Sequence, residues 1–284
     1  MSVTGEEYKA QMEELAKPPS WLVPAKRRRS GVIGGLLAAL AFLATKIAVL
    51  FKVLVVVLKF GFVKTLVTLL ISYGAYALYL GPWSAAGLVA MILVHEMGHV
   101  VEIRHQGMKA TAPIFIPFMG AAIFQRSHPT TAYRQGLIGI AGPVSGTLGA
   151  ALMAVAYTST HWEPLLLAAW WGFLINLINL IPVGMLDGGW IMGAVSKWAY
   201  VAGIALLAGM VLFFHLISPL LILIVVLSLP MMIGRFRNAA DPYYATVTGR
   251  QRWALFGGWL GLVLFLGWGS LWATNLLAVV KAVH

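Results

Sequence analysis

Not one cysteine occurs in the 284 residues, so disulfides and thiolate metal ligands are both excluded. Charge is also scarce. Asp, Glu, Lys and Arg make up 10% of the chain, against about 25% in a soluble domain, and only nine residues are acidic. Apolar side chains take their place. Hydrophobic residues account for 60% and mean hydropathy is +0.86, a balance that describes an all-α polytopic membrane protein rather than a soluble globular one. The formal net charge of +11 comes without the aromatic-interleaved basic motifs of RNA or DNA binding. No nucleic-acid partner is expected; the expected surroundings are a lipid bilayer.

The order of segments follows from where apolarity stops. Residues 1–30 open with Glu6, Glu7, Glu13 and Glu14, pass Pro18-Pro19 and end in Lys26–Arg29; they read as a cytoplasmic tail and not as a cleavable signal peptide. Residues 31–59 are apolar but carry Lys46, Lys52 and Lys59. They suit an amphipathic helix in the headgroup layer or a span with snorkelling lysines, the interfacial reading being preferred. Spans are expected over 62–80, 86–106, 136–158 and 165–181, as a pair within 198–233 parted near Ser218-Pro219, and over 254–279. That makes about six to seven membrane spans. Between them, Pro113, Pro117, Gly120 and Pro129 interrupt 107–134, where alternation over Ala112–Phe124 predicts short strands or a re-entrant hairpin. Residues 62–195 form the expected core and 198–284 the C-terminal helices.

If 31–59 does not cross, Lys26–Arg29, Arg104, Lys109, Arg126, Arg134, Lys197 and the Arg235–Arg252 loop share one side. The loops near Gly81–Ser84, Thr158–Pro164 and Ser218-Pro219 hold no Lys or Arg. This asymmetry orients the second span with its C-terminal end toward the cytoplasm.

Within that second span stand His95, Glu96 and His99, an HExxH pattern flanked by apolar residues. On a helix, residues four apart share a face, so both imidazoles can reach one metal ion. Glu96, about 100° round the helix, can reach a water beside it. Ionisable side chains at such depth are costly and rarely lack a task. With thiolates excluded, a metal here takes His, Asp or Glu, which suits a catalytic zinc that keeps one position for water. Asp187 is the candidate third ligand. Pro182 and Gly184 interrupt the helix before it, and irregular backbone at that depth is tolerated only where it is buried or lines a watery cavity.

The pairing of His95-Glu96-x-x-His99 with Asn179-x-x-Pro182-x-x-x-Leu186-Asp187-Gly188 resembles the site-2 protease family of intramembrane zinc metalloproteases. Ala141-Gly142-Pro143 matches a further segment common there. The resemblance covers roughly residues 62–195, and it implies a Zn2+ cofactor held by His95, His99 and Asp187. It also implies Glu96 as general base and Asn179 as a group that binds substrate or stabilises the oxyanion. The stretch Ala112–Phe124 occupies the position of the family's membrane-embedded β-hairpin near the active site. Ile114, Phe115, Ile116, Gly120, Ala121 and Ile123 are the residues expected to meet an unwound transmembrane protein substrate. Without an insert for a PDZ domain or a tail for a CBS pair, the chain looks like a minimal form.

A different class remains open: a metal-ion or small-solute transporter using the same His and Asp cluster, although no internal repeat supports it. An inactive relative that binds membrane partners is a third. Asn176 reads as inter-helical packing glue, Gly139, Gly142 and Gly146 as close-packing positions, and His105 as an interfacial histidine. The expected location is a prokaryotic plasma membrane, multi-pass, with the active site toward the cytoplasmic side. Oligomeric state is left open by the sequence.

Overall fold

A computed structural model describes residues 5–17, 31–59, 61–124, 127–214, 219–238 and 240–283. The expectations for Pro18-Pro19, Lys26–Arg29, Arg126 and Ser218 lie outside the described residues. The chain divides into two units, Met1–Val57 and Leu58–His284.

The first unit holds helix α1 (Gly5–Leu15) and most of helix α2 (Gly31–Lys59). No residue of α1 is buried; Tyr8, Met12 and Leu15 lie exposed on one side of it. Helix α2 is continuous over the whole 31–59 segment, and the Lys46 ammonium lies 5.2 Å over the Phe42 ring. One long helix with Lys46 folded back along it suits either placement expected for this segment.

The second unit begins with α3 (Gly61–Leu80) and α4 (Pro82–His105), followed by strands β1 (Ile114–Ile116) and β2 (Gly120–Ala122). Then come α5 (Ala132–Thr160), α6 (Glu163–Asn179), α7 (Asp187–Val195), α8 (Ala199–Phe214), α9 (Pro219–Arg237), α10 (Pro242–Ala245) and α11 (Gly249–Val283). Local chemistry sets several of these bounds. Pro82 opens α4, where its missing N–H costs nothing. The Thr131 hydroxyl caps α5 by accepting from Arg134 N–H. Asp241 does the same for α10 through Tyr243 N–H.

Among the described residues, four helices are long and apolar enough to cross a membrane: α3, α4, α5 and α11. Four such helices do not confirm the expected six to seven spans. Helix α6 has 17 residues, about 26 Å at 1.5 Å per residue, short of a hydrocarbon core of about 30 Å. It stops because Pro182 cannot continue it. Helix α8 has 16 residues, and α9 carries Pro230 within and Arg235 and Arg237 at its end.

The core follows small residues. A Cβ at Gly98 would collide with the Ala141 carbonyl, and one at Gly87 with the backbone of Ala168, so α4 lies tightly against α5 and α6, the kind of approach that drives helix association in lipid. The Ser145 hydroxyl donates to the Val94 carbonyl at 2.9 Å across the same contact. Leu166, Phe173, Leu180, Ile191, Leu255 and Leu266 fill one cluster joining α6, α7 and α11. A second cluster joins α3, α4 and β1 through Tyr76, Leu88, Ile92 and Phe115.

The expected hairpin over Ala112–Phe124 is present as an antiparallel pair in the register Ile114↔Ala122, Phe115↔Ala121, Ile116↔Gly120. Gly120 turns the chain at φ 93°, a conformation glycine adopts without strain. The outer edge of β1 is already taken. Phe115 N–H donates to the Thr68 hydroxyl at 3.1 Å, and the Thr65 hydroxyl donates to the Pro113 carbonyl at 2.6 Å.

Candidate metal centre

Helix α4 presents His95 and His99 on one buried face, 4% and 6% exposed. Across from them, α6 ends at Asn179 and the chain turns through 180–186 before α7 starts at Asp187. The carbonyls and amides of this break are not left to lipid. Trp259 of α11 donates to the Leu180 carbonyl at 2.8 Å, Ser228 of α9 accepts from Met185 N–H at 2.9 Å, and Leu186 N–H donates to the Val183 carbonyl. The irregular backbone is tolerated because two neighbouring helices and its own turn satisfy it.

Asp187 is therefore held deep inside. It is the first residue of α7, while Leu186 occupies the N-cap position, so its carboxylate is not spent on capping. Asp187 Oδ2 lies 3.1 Å from His95 Nε2, and Asp187 Oδ1 lies 3.3 Å from His99 Nε2. The two Nε2 atoms are 3.1 Å apart.

The tautomers follow from what each ring's other nitrogen meets. His99 Nδ1 is 2.8 Å from the Ile138 carbonyl, which can only accept. The Asn176 amide donates to the Gly172 carbonyl at 2.6 Å, which turns its Oδ1 toward His95 Nδ1 at 2.8 Å. Both Nδ1 atoms thus carry the proton, and both Nε2 lone pairs point at Asp187. Three electron-pair donors converge, and Asp187 Oδ2 is buried with no hydrogen-bond partner; its 3.1 Å approach to His95 is close without being a hydrogen bond. A cation resolves this arrangement. Ligands about 2.0–2.2 Å from one ion at tetrahedral angles lie roughly 3.3–3.6 Å apart, and the observed 3.1, 3.3 and 3.1 Å fall at or just inside that spacing. Among the described residues, His95, His99 and Asp187 form the one group of this kind able to hold a metal ion.

Room for the site is made by glycines of α5. A Cβ at Gly142 would overlap the His99 ring, and one at Gly146 would overlap the Asn176 amide. These positions, expected to serve close helix packing, do so against His99 and Asn176 and thereby shape the pocket in which ligand and ligand support sit. Gly142→Ala is expected to lower metal affinity at least about tenfold, since an overpacked site must shift His99. Chelator competition on the purified chain measures it, and wild-type affinity would refute the close fit.

Asn176, expected to be packing glue, is fully buried and orients His95. A side chain that orients a metal-binding imidazole through its other ring nitrogen is worth about 10–100-fold in metal affinity. Asn176→Leu should lose that much in the same titration, and no change would mean that His95 is oriented by packing alone.

Glu96 is buried, 8% exposed, and lines the same cavity of about 440 Å³ as the three donors. Asn179, half-buried, also lines it. Of the residues expected to meet substrate, Gly120, Ala121 and Ile123 stand in the cavity wall. Ile114, Phe115 and Ile116 do not. Phe115 is 2% exposed and packs on Leu88 and Ile92, because alternate side chains of a strand face opposite ways. The cavity-facing strand is β2. Glu102 accepts from the Gln106 amide at 2.8 Å and lies 3.5 Å from His105 Nδ1; His105 itself is exposed.

Residues 141–216 match the model of Peptidase family M50. The chain is 29% identical over 162 residues to a probable chloroplastic zinc metalloprotease of Oryza sativa subsp. indica, covering 42% of this chain and 29% of that one. It is 31% identical over 156 residues to a zinc metalloprotease of Methanocaldococcus jannaschii, covering 49% of this chain and 44% of that one. A solved structure titled as a site-2 protease from Methanocaldococcus jannaschii aligns with a TM-score of 0.37 at 20% identity, covering 61% of this chain and 87% of that one. The chain spans less than half the length of these curated relatives. Its long apolar helices mark it as an integral membrane protein, and its similarity is to Peptidase family M50 over residues 141–216 and to zinc metalloproteases over less than half of its length.

Proposed function

We propose that this chain is an intramembrane zinc metalloendopeptidase that cleaves peptide bonds within or beside transmembrane segments of other proteins. The observation carrying this reading is the convergence of two Nε2 lone pairs and an unpartnered buried carboxylate oxygen in a cavity that also holds Glu96. Bound to His95, His99 and Asp187, zinc supplies Lewis-acid polarisation of a carbonyl and a water whose pKa is lowered to about 7.

The chain's own groups do the rest. Glu96 accepts a proton from the water as its oxygen bonds to the scissile carbonyl carbon, and delivers that proton to the departing amine as the C–N bond breaks. The Asn179 amide donates to the carbonyl oxygen as it gains charge. Asp187 stands at the N-terminus of α7, where the helix dipole favours a negative charge.

Presenting a helical span to such a site exposes carbonyls and amides that cost several kcal/mol each in hydrocarbon. Strand β2 offers a replacement. Phe115 N–H turns outward to Thr68, so its partner Ala121 turns its own backbone groups away from β1, into the cavity. An unwound substrate segment can pair there by strand addition. Substrates with Gly, Asn or Pro near the cut should be preferred, because their helices open at lower cost. Arg104 and Lys109, beyond the HExxH end of α4, support a site that opens toward the cytoplasmic side.

The test is a comparison of membrane-protein fragments in cells carrying wild type or Glu96→Gln. Fragments are expected with wild type alone. Identical fragment patterns accompanied by wild-type-dependent metal flux would replace this reading with transport.

A further inference from the structure

Helix α7 is nine residues long and its first residue is Asp187. A helix this short is marginal by itself, so the position of its first carboxylate depends on what grips its other end. The last carbonyls of a helix have no partner inside it. In α7 they are taken by two arginines from distant parts of the chain.

Arg235, from α9, donates through Nε to the Gly193 carbonyl at 3.1 Å. Arg252, from α11, donates through Nη1 to the Ala194 carbonyl at 2.8 Å and the Val195 carbonyl at 2.6 Å. The rest of its fork reaches the loop around α10: Nη2 to the Tyr244 carbonyl at 2.9 Å and Nε to the Val247 carbonyl at 3.2 Å. The Arg235 guanidinium lies 3.8 Å over the Tyr244 ring, binding the same loop from the other side. Among the described residues neither arginine forms a salt bridge. Their charge faces carbonyls, at the negative end of the α7 dipole.

We propose that Arg252 and Arg235 are positioning residues for the metal centre: they clamp the C-terminus of α7 and so hold Asp187, about 12 Å away along the helix, against the two imidazoles. Both lie beyond the segment 141–216 that matches the family model. The inference rests on the metal-site reading above. A ligand must be held to within about 0.5 Å of its productive place, and a nine-residue rod released at one end loses that precision at the other. The planar fork is essential, since one lysine ammonium cannot reach Ala194, Val195 and Tyr244 together.

The experiment measures zinc affinity of the purified full-length chain by competition with a chromogenic chelator, together with the thermal midpoint of the zinc-free chain. Arg252→Ala should weaken zinc about 10–100-fold, Arg252→Lys should fall between it and wild type, and Arg250→Ala, at an exposed neighbour, should match wild type. The zinc-free midpoint of Arg252→Lys should equal that of wild type, whereas a purely structural role would lower it. Should Arg252→Ala not be recovered folded, Arg252→Gln decides, because it keeps one donor and loses the fork. Wild-type affinity in Arg252→Ala or Arg252→Gln, or an equal loss in Arg250→Ala, overturns the clamp. Zinc held by Asp187→Ala as tightly as by wild type overturns the metal-site reading instead.

Discussion

Glu96→Gln is expected to keep its zinc and to lose cleavage by about 10²–10⁴-fold, the contribution of a positioned general base. The amide fills the same space as the carboxylate, so α4 and its two histidines stay in place. What disappears is the group that takes the proton from the attacking water and returns it to the amine. Metal content measured beside cleavage of a transmembrane substrate separates the two effects. A variant that cleaves like wild type would remove Glu96 from the chemistry, and one that also loses zinc would make it a structural support for the histidines.

Asp187→Ala should lose most of its bound zinc, and with it all cleavage. The substitution removes one of three ligands and the only anionic one, leaving two neutral imidazoles whose Nε2 atoms are 3.1 Å apart. Among the described residues no other carboxylate belongs to the group: Glu96 lines the cavity, but the metal-compatible donors are His95, His99 and Asp187. Elemental analysis of the purified chain gives the readout. Unchanged stoichiometry would require a different third ligand.

Much of this centre could be read before any coordinates. The i, i+4 spacing of His95 and His99 is a property of the helix, and the break at Pro182 and Gly184 announces a buried irregular segment next to Asp187. What could not be read is support. Asn176 and His95 are 81 residues apart, and an asparagine in an apolar helix is as well suited to packing glue as to fixing a tautomer. Gly142 looks like any small residue in a close-packed helix until the His99 ring is seen against it. Arg252 sits in a polar stretch whose positive charges satisfy the orientation rule without further purpose; its grip on Ala194 and Val195 crosses nearly sixty residues. Apolar composition alone does not fix the number of spans, because it does not distinguish a full crossing from the 17 residues of α6, several of which are buried in protein.

In the proposed centre, two imidazoles and one carboxylate, drawn from α4 and α7, surround a single zinc ion. X-ray absorption at the zinc edge of the purified wild-type chain tests it most directly. The predicted first shell contains two imidazole nitrogens at about 2.0–2.1 Å, with oxygen completing it at about 2.0–2.2 Å. A shell of oxygen alone, or a chain that takes up no zinc at micromolar concentrations, would contradict the account.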